Sequence, residues 1–275
     1  MIFRNKIKTR FEKSFNGDIW RILLSDNHML LEIRNQEIKE VSFSVADTQK
    51  YELVSENIQL GEKFWTGVEE FVYPYIIFHG FTKPDMPFHK GVFVYSISEK
   101  KLIFSNDELV FRFMIKDRIY CYRQLFESQH FYAVSLTTGE ILEDIGTDNN
   151  HVNKLLDESR AAEDYSLYRF PVIAKDEREY EIVKLITENI PGVAPLLPEF
   201  IEYRHYIIFS YNVLKNQKSD IYLCIYDTKK KKVVRNDLIN KDLSKPLHDS
   251  FFMFRNILYV IRNRKTIILT EIEDE

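Results

Sequence analysis

The chain has 275 residues, 45% of them apolar and 29% charged, with 38 basic against 42 acidic side chains and a formal charge of −4. That balance excludes a disordered tail and argues against a nucleic-acid partner, which needs a basic excess to displace phosphate counterions. The longest uncharged apolar runs, such as Tyr73–Phe78, fall far short of the ~20 residues of a spanning helix, so no membrane partner is expected.

Thirty Ile stand against six Ala, beside 21 Phe and 16 Tyr. β-Branched and aromatic side chains suit a pleated, half-buried surface, so the composition predicts a mostly-β chain. With only eight Gly, the turns must lean on Asn, Asp, Ser and Lys.

Short apolar runs bounded by polar turns follow one another along the chain. Trp20–Leu24 leads to Met29–Ile33, then Ile38–Val45. Phe71–Phe81 is followed by a loop over Thr82–His89, then Gly91–Ile97 and Leu102–Phe104. Leu109–Ile115 with Arg118–Tyr122, and Phe251–Phe254 with Ile257–Ile261, read as hairpins. Each piece has strand length rather than helix length.

One unit recurs: Val92–Phe104, Phe131–Leu142 and Ile221–Val234 each read as strand, polar turn, strand. Weaker copies lie at Met29–Val41 and Ile257–Leu269, and a degraded one is expected around Arg169–Val183 near Lys175-Asp176-Glu177. The centres Ser96, Ser135 and Asp227 are 39 and 92 residues apart, a period of about 40 residues, that of four-stranded propeller blades. Blades packed face to face share a core that one sheet cannot make alone. The expected fold is therefore an all-β propeller of about five to seven blades forming a single domain over residues 1–275, with a β-sandwich or β-solenoid as the alternative.

Phe131-Tyr132-Ala133-Val134-Ser135-Leu136-Thr137-Thr138-Gly139-Glu140 resembles the strand, D-x-x-T-G, strand blade pattern of quinoprotein-like and WD-repeat propellers. Ser135 stands where that pattern prefers Asp, while Ile225-Tyr226-Asp227-Thr228-Lys229 keeps the Asp and Thr and loses the Gly. Phe104 and Leu142 replace the usual blade-ending Trp. The whole chain also resembles uncharacterised bacterial families of about this length. These resemblances imply a fold and no activity, and no quinone- or metal-binding position of the quinoproteins carries over.

Two stretches break the rhythm. Asn150–Asp164 places Val152, Leu155 and Leu156 at helical spacing and predicts one short helix on a blade connection. Ile190–Pro198 holds three prolines and reads as an ordered loop feeding a strand at Phe200–Ile201. The run Lys229–Lys232 reads as a solvated turn. Cys121 and Cys224 lie inside apolar runs and read as buried free thiols. Met1–Lys6 carries charge with no apolar stretch behind it, so no signal peptide is visible and a cytoplasmic location is expected. Ile2-Phe3-Arg4 is a candidate to close the last blade beside Ile267–Ile272.

No nucleophile elbow, phosphate-cradling glycine loop, H-E-x-x-H or paired-cysteine spacing is present, so no catalytic residue, metal or cofactor is assigned. The richest local feature runs from Trp65 to Gly91. His79 ends one apolar strand and His89 opens the next, so pairing of those strands brings both imidazoles to the base of one loop, with Trp65, Glu69 and Glu70 upstream. Two imidazoles and a carboxylate suit a zinc-type ion or proton transfer; backbone hydrogen bonding at a proline-stiffened turn is the plain alternative. Trp65, Glu69, His79, His89 and Lys90 are the candidate ligand-binding residues. His28, His130 and His205 each precede an apolar strand and read as blade structure. The acidic pairs Glu69-Glu70, Glu163-Asp164 and Asp176-Glu177 read as solvated surface, and Tyr203, Tyr206 and Tyr211 as packing. The function expected is non-enzymatic, a scaffold holding a protein partner on a propeller rim; the alternative is a small-molecule or carbohydrate-binding or hydrolytic propeller using the Trp65–Lys90 loop.

Overall fold

The computed structural model describes residues 7–82, 88–173, 177–188, 190–194, 198–245 and 247–273. They fall into two compact units, Asn16–Asp164 and a second built from Met1–Phe15 with Tyr165–Glu275.

The second unit begins at β1 (Ile7–Ser14), and the first unit then holds three antiparallel meanders. The first sheet is β2 (Asp18–Ser25), β3 (His28–Asn35), β4 (Glu40–Asp47) and β5 (Glu52–Ile58). The second is β6 (Thr66–Val72), β7 (Tyr75–Phe81), β8 (His89–Ser96) and β9 (Lys101–Asn106). The third is β10 (Leu109–Ile115), β11 (Arg118–Gln124), β12 (Gln129–Ser135) and β13 (Ile141–Gly146), followed by α1 (Asn149–Ala161). Each sheet follows chain order, the up-and-down build of a blade, and the fold is all-β and propeller-like in this sense. Leu30, Phe43 and Val45 pack on Val68, Ile76 and Phe78 between the first and second sheets. Ile77, Val92 and Val94 pack on Leu109, Ile119 and Val134 between the second and third. Burial of each such side chain stabilises by about 1.5–3 kcal/mol.

In the second unit, β14 (Tyr168–Arg169) and β15 (Val172–Ile173) are short edge strands. They are followed by α2 (Glu177–Thr187), β16 (Glu199–Tyr203), β17 (Tyr206–Lys215), β18 (Lys218–Asp227) and β19 (Lys232–Leu243). Last come β20 (Phe251–Phe254), β21 (Ile257–Arg262) and β22 (Thr266–Ile272). One sheet runs β15 through β19 and the other orders β1-β22-β21-β20-β14. The N-terminal strand Ile7–Ser14 completes this last sheet against Thr266–Ile272; the Ile2–Arg4 segment expected there lies outside the described residues.

The turns use the residues expected of a glycine-poor chain: Asp26, Lys39, Lys100, Lys116, Lys231 and Asn263 all take positive φ. Asp47 and Asp227 occupy equivalent turns. Each carboxylate accepts the amide three residues on, from Lys50 and Lys230 at 2.8 Å, while Thr48 and Thr228 bond back to Asn27 and His205 carbonyls. Ser96 and Ser135 accept the amides of Glu99 and Thr138 in the same way, at 3.2 Å. The recurrent Asp/Ser of the repeat is thus a turn cap.

Three expectations need correction. Among the described residues, the degraded strand copy at Arg169–Val183 is replaced by two two-residue strands and α2, and Lys175-Asp176 lies outside the described residues. Ile182, Val183 and Ile186 recur at helical spacing and pack on β17 and β18, so a helical period won over β-branched composition. The single predicted helix, α1, is therefore joined by a second. Glu69 and Glu70 are not solvated surface, as the site shows.

Cys121 and Cys224 are free and buried, and burial pushes both thiols up to about 12. Tyr203, Tyr206 and Tyr211 are buried, as packing requires. Among the described residues, no helix is long and apolar enough to cross a membrane.

Candidate functional site

The second sheet builds the site through two irregularities in its ladder. Between β6 and β7, Val68 pairs Phe78 and Glu70 pairs Ile77, which leaves Glu69 as the bulged residue. Between β7 and β8 the register shifts at His79, where Phe78 pairs Phe93 and Gly80 pairs Lys90. Gly91, at φ 81°, takes up that shift with a backbone few other residues adopt. The bulges aim Glu69 and His79 to one side, and Phe81 pairing with His89 brings the second imidazole alongside.

His79 and His89 stack with ring centroids 3.5 Å apart and planes 8° apart. Glu69 Oε1 lies 3.0 Å from His79 Nδ1 and 2.7 Å from His89 Nδ1. The second contact is a hydrogen bond; the first is not aligned as one, and both ring nitrogens of the buried His79 are without hydrogen-bond partners. Burial opposes ionisation of Glu69, but the two imidazoles hold its carboxyl down at about 2. Burial lowers His79, against the pull of Glu69. Glu70 is raised, by burial first and then by the charges of Glu163 and Glu69.

His79 and His89 form one wall of a cavity of about 310 Å³. Its other walls come from the first sheet and the segment before β6. Arg34 is buried there, donating from Nε to Glu32 at 2.6 Å, and to the carbonyls of Phe64 at 3.0 Å and Thr66 at 2.6 Å. Five N–H donors on a guanidinium leave two unused by these bonds. The second carboxylate oxygen of Glu32 is buried and unpartnered. Arg21 donates to the carbonyl of Val68, Lys39 stands over the ring of Phe64, and Trp20 is 60% exposed at the mouth.

Of the five candidate residues, the structure brings Glu69, His79 and His89 together. Trp65 also lines the cavity, edge-on to Phe81. Lys90 does not: one residue after His89 on a strand, it points to the opposite face and lines a separate cavity of about 590 Å³ with Leu60, Phe93 and Leu102. Sequence reasoning missed Glu32, Arg34, Arg21, Lys39, Trp20 and Gly67, because their proximity to the histidines depends on how two sheets face each other. His28 and His205 sit beside the turn-capping Asp47 and Asp227, and His130 pairs with Asp144 at 2.5 Å, all as parts of their own sheets.

Over residues 24–104 the chain matches the family model of a domain of unknown function, DUF4905. No curated protein matches. Among solved structures, a DUF4221 family member from Bacteroides vulgatus aligns over 94% of this chain and 92% of its own at 9% identity and TM-score 0.34. The β-propeller domain of the Trilobed protease from Pyrococcus furiosus aligns over 96% and 70% at 9% identity and 0.31. The Dos1 propeller aligns over 96% and 64% at 12% identity and 0.35. At these scores none of the three fixes an activity for this chain.

Proposed function

We propose that this chain binds a small, acidic, polyhydroxylated molecule of monosaccharide size, on a scaffold whose meanders act as propeller blades. The observation that carries the reading is the pair of buried, unpartnered polar atoms on one cavity, Glu32 Oε2 and His79 Nε2. An unmet buried polar group costs about 1–3 kcal/mol, and a bound polar molecule supplies the partners. Glu32 requires a donor, Arg34 has donors to spare, and a hydroxyl serves either. Arg21, Arg34 and Lys39 outnumber Glu32 on the lining, which favours an acid group. Trp20 and Trp65 offer flat apolar faces for a sugar ring.

The volume lies at the low end of the roughly 300–1,000 Å³ of ligand pockets, so it suits one sugar ring and no folded surface. That size is why we favour this reading over a protein partner held on a propeller rim. A cytoplasmic site of action belongs to the same proposal, consistent with two free cysteines.

Calorimetric titration with glucuronate and with glucose, in the presence of a chelator, tests it. Glucuronate should bind and glucose should bind at least about tenfold more weakly, the loss of one charge-assisted hydrogen bond. Lys39→Ala and Trp20→Ala alter exposed positions and should weaken glucuronate without changing Tm. Failure of both glucuronate and galacturonate to bind the folded protein overturns the reading.

A further inference from the structure

We infer that Glu69, His79 and His89 hold one divalent cation of the zinc class on the wall of this cavity. The inference rests on the reading of the cavity as a binding site and adds the ion that its histidine wall would carry.

Three donor atoms, one from each residue, lie within 4.8 Å of one another. Ligand atoms 2.0–2.1 Å from a tetrahedral zinc stand about 3.3 Å apart. Glu69 Oε1 is 3.0 Å from one imidazole nitrogen and 2.7 Å from the other, so seating an ion asks for an outward movement of a few tenths of an ångström. Two imidazoles with one carboxylate are a donor set that borderline cations such as zinc prefer, whereas calcium and magnesium prefer all-oxygen shells.

Hydrogen bonding within the trio does not satisfy it. The carboxylate oxygen serves His89, but His79, with its side chain only 2% exposed, approaches the same oxygen out of line and leaves both nitrogens unpartnered. A metal ion accepts lone pairs from all three groups at once. The nearly parallel rings must open for their lone pairs to converge, and His89, with its side chain 37% exposed at the start of β8, is the one with room to turn. His79 and Glu69 are fixed by the ladder shifts that aim them.

Three protein ligands leave a position open, as in zinc sites that receive a further ligand. His79 and His89 line the same cavity as Arg34 and Lys39. An acid group held by those cations can therefore give an oxygen to the ion, which ties the metal to the ligand class proposed above.

The test uses the full chain, stripped with a chelator and titrated with Zn²⁺ alone by calorimetry, and with Co²⁺ followed by visible absorption. One equivalent of each should bind, cobalt giving the strong visible bands of a four-coordinate ion. Glu69→Gln and His89→Ala should each weaken zinc by at least about 100-fold, beyond the 10–100-fold typical of losing an outer-shell partner. His89→Ala is the decisive variant because His89 is partly exposed, so the protein should still fold, with a metal-free Tm lowered only by the loss of one hydrogen bond to Glu69. No zinc binding by the folded parent, or equal binding by parent and both variants, overturns the inference. The glucuronate titration is run in chelator, so its outcome judges the ligand reading separately.

Discussion

Gly67 lies against the edge of His79: a Cβ built on the glycine would stand 2.7 Å from both Cε1 and Nε2 of the imidazole. Gly67 and His79 are paired across β6 and β7, and the missing side chain is what lets the ring occupy the cavity wall. Contacts that short are not tolerated, so the ring must shift.

Gly67→Ala should therefore displace His79 from Glu69 and His89 while the sheet persists. The expected cost is about 1–3 kcal/mol, that of adding a methyl group to a packed interior. Ligand binding should fall further than the stability loss explains. Denaturant melts and calorimetry on the same samples check this, and a variant that binds as the parent does would show that His79 is not held by this contact.

The buried pair Glu32–Arg34 lines the same cavity from the first sheet. Removing Arg34 strands the Glu32 carboxylate and the carbonyls of Phe64 and Thr66, so Arg34→Met should destabilise by about 3–5 kcal/mol. The double variant Glu32→Leu/Arg34→Met should recover much of that loss, because it removes the uncompensated charge as well. A double-mutant cycle by urea denaturation measures the coupling, and strictly additive losses would contradict a pair held together in this way.

How far the sequence foretold this arrangement depended on what each residue needs. The histidines were legible because a strand end and the next strand start must face each other across a hairpin, and Phe81 does pair with His89. Lys90 faces away from the histidine cavity through the two-residue alternation of a strand, because its neighbour His89 faces into it. Glu69 is a candidate ligand by its place upstream of the histidines, yet as half of an acidic pair it reads as exposed, because a bulge has no composition of its own; only the ladder shows that one residue is extra at that point. Arg34, some thirty residues before Thr66, reaches the site through the packing of one sheet on another, which no local pattern encodes. The strand, turn, strand repeat is legible in the sequence, whereas α2 is not, because Ile and Val serve both periods.

The Asp turn caps give a pH dependence whose sign follows from their shifts. For Asp47, burial works against ionisation, but the backbone N–H groups of Lys50 and Gln49 more than offset it, with His28 and Lys50 adding their charge, and the carboxyl is held below its ordinary value. Asp227 is lowered likewise, burial again being opposed by the amide and ammonium of Lys230 and by His205. A carboxyl depressed on folding contributes stability above its unfolded pKa of about 3.9 and loses it as pH falls toward the folded value. Tm should hold between pH 7 and 5 as far as these groups govern it, then drop as the solution is acidified through pH 4 and below. In Asp47→Asn and Asp227→Asn the side chain can still accept an amide N–H but carries no charge, so each variant should start lower at pH 7 and lose less on acidification. The difference between parent and variant should thus narrow below pH 4, as followed by thermal melts at constant ionic strength. Parallel curves for parent and variants at every pH would mean that these carboxylates are not ionised through their turns, and that the caps act by shape alone.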